Sequence, residues 1–192
     1  MIQNKISMCF SGSGGQGVIL ASIIFAEAAA LSGYHTIQSQ AYGPEARGGK
    51  SRAETMIGPD AIWFSKAGHP DFLLALNQTA YDAYAPLVRE GGRILADSSV
   101  HISFMGSDPI TKVLQLPIIQ TAEEKVGKAI ATNIVAVGAV NRLLDLFPEP
   151  VLEKAVRMHI PAGTEDLNLR ALAAGEALAA AEVPPPPHEV TP

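Results

Sequence analysis

The feature that most narrows what this chain can fold into is a glycine-rich turn set between two regular runs. Ile2 to Phe10 is apolar and β-branched, and Ser11-Gly12-Ser13-Gly14-Gly15 stops it. Gln16 to Leu31 is then rich in Ala, Ile and Leu, free of proline, and ends at Ser32-Gly33. The pattern predicts a buried strand, a tight turn and a helix with a glycine stop. Tyr34 to Gln40 predicts a second strand. Strand, helix and strand in that order imply a parallel sheet with a right-handed crossover.

Gly12, Gly14 and Gly17 make G-x-G-x-x-G in the strand–turn–helix setting that a dinucleotide fingerprint requires. On that reading the first glycine allows the turn, the second lets a ligand or backbone approach, and the third packs helix on strand. The helix start then offers unpaired N–H groups to an anion. A dinucleotide site also wants an acid closing the second strand about 20 residues on, and Gln38, Ser39 and Gln40 stand there instead. Three readings stay open: a dinucleotide, another phosphate-bearing ligand, or a turn that only packs helix on strand or receives a partner.

The second distinctive stretch is Tyr42-Gly43-Pro44-Glu45-Ala46-Arg47-Gly48-Gly49-Lys50, a loop full of backbone breakers beyond the second strand. Ligand crevices in open α/β sheets lie outside such strand ends. Glu45 and Arg47 can pair with each other, meet a neighbouring subunit, or grip a carboxylate or phosphate.

Further strands are expected at Ser51–Ile57, Phe72–Leu76, Arg93–Asp97 and Lys112–Leu116, with a helix over Gln78–Val88. After Pro117 the chain turns helical, over Ala122–Ala131, Asn133–Phe147, Pro150–Met158 and Glu165–Ala180. Ile134, Val137, Val140, Leu143, Leu144 and Phe147 recur at helical spacing and give the second of these an apolar face. The fold class is α/β, a Rossmann-like, mostly parallel sheet flanked by helices, with a helical C-terminal segment. Residues 1–183 are expected to form one domain, and 184–192 an extended proline-rich tail.

Composition removes several function classes. A net charge of −5 argues against a nucleic-acid-backbone binder. The single cysteine, Cys9, cannot make an internal disulfide or hold an iron–sulfur cluster; inside the first strand it is expected as a buried, inert thiol. His35, His69, His101, His159 and His188 have no metal-site spacing. Ser11 and Ser13 form no nucleophile elbow, and Asn133 reads as a helix cap. No apolar run is long enough to span a membrane, and the N-terminus lacks signal-peptide character, so a cytoplasmic protein is expected. The low charged fraction, 17%, suggests apolar surface hidden against partners. No residue set assembles as a catalyst.

Phe10-Ser11-Gly12-Ser13-Gly14-Gly15-Gln16-Gly17-Val18 followed, about 30 residues on, by Tyr42-Gly43-Pro44-Glu45-Ala46-Arg47-Gly48-Gly49 resembles the gamma subunit of 2-oxoacid:ferredoxin oxidoreductases. Asn133-Ile134-Val135-Ala136-Val137-Gly138-Ala139 and Leu167–Gly175 resemble that family's closing helices. The resemblance implies a non-catalytic subunit of an enzyme that oxidatively decarboxylates a 2-oxoacid with coenzyme A and reduces ferredoxin, or runs in reverse. Thiamine diphosphate, magnesium and iron–sulfur clusters are then expected on partner subunits: alpha, beta and a ferredoxin-like delta. It further implies a coenzyme A near Gly12, Gly14, Gly15, Gln16, Gly17, Arg47 and Lys50. Subunit contacts are implied at Tyr42, Gly43, Pro44, Glu45, Arg47, Gly48, Gly49 and Asn133. The loop leans towards the 2-oxoglutarate or branched-chain enzymes, with the indolepyruvate enzyme's small subunit related. The alternative is a small stand-alone dinucleotide-binding oxidoreductase.

Overall fold

A computed structural model describes residues 2–42, 50–64, 66, 68–102 and 111–182, with the backbone alone for Ala41, Tyr42 and Lys50. The tail expected at 184–192 lies outside the described residues, as does the loop 43–49.

Among the described residues six strands make one mixed sheet: β1 (Ile6–Ser13), β2 (His35–Tyr42), β3 (Lys50–Gly58), β4 (Phe72–Ala75), β5 (Arg93–Asp97) and β6 (Lys112–Leu116), in the order β2-β3-β1-β4-β5-β6. β1, β4, β5 and β6 pair in parallel, whereas β3 runs antiparallel to both its neighbours. β1 and β2 run in the same direction, as a strand–helix–strand unit implies, but they are not neighbours. β3 inserts between them, because a chain leaving β2 through a short connection returns antiparallel beside it. Strands β1, β4 and β5 alternate between two apolar faces, as central strands must. Met8, Phe10, Phe72, Leu74 and Leu95 face one side, and Cys9, Leu73, Ala75, Ile94 and Ala96 the other.

On the first side lie α1 (Val18–Leu31), α4 (Thr132–Leu144), α5 (Glu149–His159) and α6 (Glu165–Ala180); on the second lies α2 (Gln78–Tyr84), whose Tyr81 is fully buried. A short α3 (Ile118–Thr121) follows β6. Residues 132–141 of α4 are buried on every side, which marks it as an internal helix rather than a surface one. It meets α6 with a glycine of each helix set against the other's backbone. A Cβ on Gly138 would lie 2.1 Å from the Leu172 carbonyl oxygen, and one on Gly175 only 1.9 Å from that of Val135.

Other boundaries move as well. The expected helix over Ala122–Ala131 is broken into a π-helical stretch (Ala122–Val126), a left-handed Gly127 and a 3-10 turn (Ala129–Ala131). The helix expected to reach Val88 stops at Tyr84 and tightens into a 3-10 turn over Ala85–Leu87, with Pro86 in its first turn. Among the described residues no helix is long and apolar enough to cross a membrane.

Candidate functional site at the glycine turn

β1 does not stop at the glycines. It runs on through Gly12 and Ser13, which pair with Ser51 and Lys50 of β3, and α1 starts only at Val18. Gly12 therefore makes no turn, contrary to expectation. Its lack of a side chain instead admits the Gln16 amide, whose Oε1 would sit 2.5 Å from a Cβ there. That oxygen accepts the Ser13 N–H at 2.7 Å, and the Gln16 N–H returns to the Ser13 carbonyl at 3.1 Å. Gln16 closes the turn on itself.

The turn is also fastened to the next strand's end. Asn77 Nδ2 donates to Ser13 Oγ at 2.6 Å, while Asn77 Oδ1 caps α2 by accepting the Ala80 N–H at 2.8 Å. One side chain thus ties two strand–helix junctions together. From sequence, Asn77 reads only as a chance match to a glycosylation sequon with Gln78 and Thr79, although its place before a helical run is an N-cap signal.

Gly15 and Gly17 take positive φ, 95° and 70°, and carry the reversal into α1. Gly14 stands between strand end and reversal, exposed. Gly17 has a second constraint, since a Cβ there would lie 2.6 Å from Asn133 Nδ2 of α4. α1 begins with no side-chain cap and no acidic residue in its first turn. The Val18, Ile19 and Leu20 amides precede the first helical bond, from the Ala21 N–H to the Gly17 carbonyl, and so have no helical carbonyl to bond.

Sheet register brings the second motif to this same edge. Tyr42 at the end of β2 and Gly12 of β1 flank Ser51, and Lys50 stands opposite Ser13. Gly43, Pro44, Glu45, Arg47, Gly48 and Gly49 lie outside the described residues. Asn133 does not cap α4 across its first turn; its Oδ1 accepts the adjacent Ile134 N–H at 3.0 Å.

The dinucleotide reading loses its geometry. β2 is a full strand away from β1, so its end cannot hold a ribose beside the glycine turn. Gln38, at the place of the missing acid, turns its amide to Ser22 Oγ of α1 at 2.9 Å.

A polar cluster that sequence reasoning passed over lies on the α2 side of the sheet. Arg52 and Glu54 of β3 pair with each other and flank buried Cys9. The guanidinium carbon lies 4.9 Å from the Tyr84 ring centre. Burial pushes the Cys9 thiol up to about 12, with Arg52 opposing the shift and Glu54 adding to it. Burial likewise raises Tyr84, again opposed by Arg52. The signal was available, because Arg52 and Glu54 two apart in a strand must share one face. A cleft of about 290 Å³ opens over them, lined by Ser39, Gln40, Lys66 and Gly68. A larger cleft, about 480 Å³, sits where β5 and β6 begin, at Arg93 and Lys112, the wrong end of the sheet for an α/β ligand crevice. Among the described residues no three His, Cys, Asp or Glu side chains gather as a metal ion would need.

Comparison with known proteins places the chain in company. Residues 7–178 match the family model described as pyruvate ferredoxin/flavodoxin oxidoreductase. The 2-oxoglutarate synthase subunit KorC of Methanocaldococcus jannaschii is 40% identical over 166 residues, 86% of this chain and 89% of that protein. Among solved structures, the gamma subunit of a keto/oxoacid ferredoxin oxidoreductase from Geobacter sulfurreducens PCA superposes with a TM-score of 0.80 at 40% identity, over 92% of this chain and 99% of that one. A 2-oxoglutarate:ferredoxin oxidoreductase from Magnetococcus marinus shares the fold, with a TM-score of 0.80 at 22% identity; this chain spans 98% of its own length and 33% of that one.

Proposed function

Because the chain belongs to the pyruvate ferredoxin/flavodoxin oxidoreductase family, we propose that it is the gamma subunit of a 2-oxoacid:ferredoxin oxidoreductase of the 2-oxoglutarate type. The complex converts 2-oxoglutarate, coenzyme A and oxidised ferredoxin to succinyl-coenzyme A, carbon dioxide and reduced ferredoxin, or the reverse. Thiamine diphosphate with magnesium supplies the decarboxylation chemistry and iron–sulfur clusters the electron path, both on alpha, beta and ferredoxin-like delta partners. This chain packs against those partners through Tyr42 and the loop 43–49, in the cytoplasm.

Its own contribution to the ligand is electrostatic. The single observation that carries the reading is the edge where the Val18, Ile19 and Leu20 amides, with no helical carbonyl to bond, stand beside the Gly12–Gly17 turn, with Lys50 in register at Ser13. A helix start with unbonded amides and no acid in its first turn favours the pyrophosphate of coenzyme A. Gly14, Gly15 and Gly17 let it approach the backbone, Gln16 holds the turn's shape, and Arg47 and Lys50 supply positive charge.

The test is steady-state kinetics on the assembled complex. Lys50→Glu reverses a charge at the anion's edge and is expected to raise KM for coenzyme A about tenfold while leaving KM for 2-oxoglutarate unchanged. An unchanged coenzyme A dependence contradicts the reading.

A further inference from the structure

The proposed function leaves one charged cluster unused. Arg52 and Glu54 project from β3 on the α2 side of the sheet, the face opposite α1, with side chains 23% and 7% exposed. Charges taken out of water seldom strengthen a fold, since desolvation offsets their attraction, so stability alone does not account for the pair. Nor does Glu54 satisfy its partner. Nη2 of Arg52 donates to Glu54 Oε1, while Nε is buried without an acceptor among the described residues. The neighbours supply none. Tyr84 meets the guanidinium with its ring, and Cys9 keeps its proton, the thiol pushed up to about 12 by burial. A buried donor without an acceptor calls for an explanation.

The cleft over the pair offers one. Its volume is about 290 Å³, and Ser39 and Gln40 of β2, with Lys66, line it beside Arg52 and Glu54. Lys66 is exposed and in no ion pair among the described residues. Because Arg52 answers the charge of Glu54, Lys66 leaves the cleft net positive, in a chain whose net charge is −5. Such a cleft draws an anion. A guanidinium fork fits the two oxygens of a carboxylate. Phosphate fits that fork too, but it brings more negative charge up against the buried Glu54 than a carboxylate does.

We propose that this cleft is a binding site for a small carboxylate, held between Arg52 and Lys66. The ligand gives the guanidinium the acceptor that its own chain withholds, and Lys66 adds the second positive charge. Ser39 and Gln40 supply polar contacts. Glu54 keeps Arg52 in place and disfavours more highly charged anions. The site is independent of the coenzyme A reading, which concerns the start of α1.

The probe is propionate, titrated into the full chain and followed by NMR. The Arg52 Nε–H and the Gln40 and Lys66 amides are expected to shift along one saturable curve. Lys66→Glu reverses a charge at an exposed position and is expected to weaken binding at least about tenfold. Arg52→Gln removes the fork and is expected to abolish binding; if that variant does not fold, Lys66→Glu decides. Inorganic phosphate at the same ionic strength is expected to bind more weakly than propionate. No saturable shift, a Lys66→Glu chain that binds as the parent does, or phosphate binding as tightly as propionate overturns the proposal. So does a site present in the free chain and lost in the assembled complex, since a partner's side chain then fills the cleft.

Discussion

A methyl group at position 17 is wrong for two separate reasons. The backbone there is left-handed, φ 70°, and an ordinary residue in that region loses about 1–2 kcal/mol. The methyl would also press on Asn133. Gly15 separates the two effects, since it too is left-handed, at 95°, but nothing lies within 4 Å of a Cβ there. Gly15→Ala should therefore cost the backbone strain alone and Gly17→Ala measurably more, as read by chemical denaturation. Equal losses would show that the Gly17–Asn133 contact carries no weight. At Cys9 the prediction concerns proton linkage. The folded thiol titrates near 12, against 9.0 for the unperturbed group, so above pH 9 the unfolded chain releases a proton that the folded chain keeps. Stability should then fall as pH rises from about 9 to about 12, and a Cys9→Ala chain should lack that part of the fall. In the native protein the thiol should also resist alkylation at pH 8, where a fast reaction would contradict its burial. Of these residues, the glycines and the inert cysteine were readable from the chain. Asn133's contact with Gly17 was not, because it joins residues 116 positions apart.

Elements divide along the same line between local and distant causes. α6 has the bounds the sequence predicts, Glu165–Ala180, since a helix start with Glu165 and Asp166 and a run of Ala and Leu are local signals. The 122–131 stretch has helical composition but cannot be one helix, as Gly127 takes φ 82° and reverses the path. The place of β3 was invisible for a different reason: which strand lies beside which is decided by pairing across the sheet, not by composition. The α4–α6 seam belongs to this scale too. Gly175→Ala ordinarily gains about 0.5–1 kcal/mol inside a helix. Here the added carbon meets the Val135 carbonyl oxygen at 1.9 Å, so the helices must part, and overpacking of this kind costs about 1–3 kcal/mol. Thermal unfolding should show a net loss, with Gly138→Ala behaving alike. A gain in either would mean the seam is looser than described.

For the whole molecule, one sheet edge gathers what the sequence presents as two separate motifs. The register Ser13–Lys50 sets the glycine turn beside the base of the second loop. The opposite surface has another character. Trp63, the chain's only tryptophan, is 88% exposed and Phe64 is 53% exposed, in keeping with the expectation that apolar surface awaits partners. Trp63 fluorescence in the isolated chain should accordingly be fully open to iodide quenching, and a shielded signal would contradict that exposure. On the proposed function, the reaction runs on cofactors carried by the partner subunits. The most direct check is to follow 2-oxoglutarate- and coenzyme A-dependent ferredoxin reduction with this chain alone, with its partner subunits alone, and with all of them recombined. The account predicts no turnover by the chain alone and a higher rate for the full set than for the partners without it; turnover by the isolated chain would contradict it.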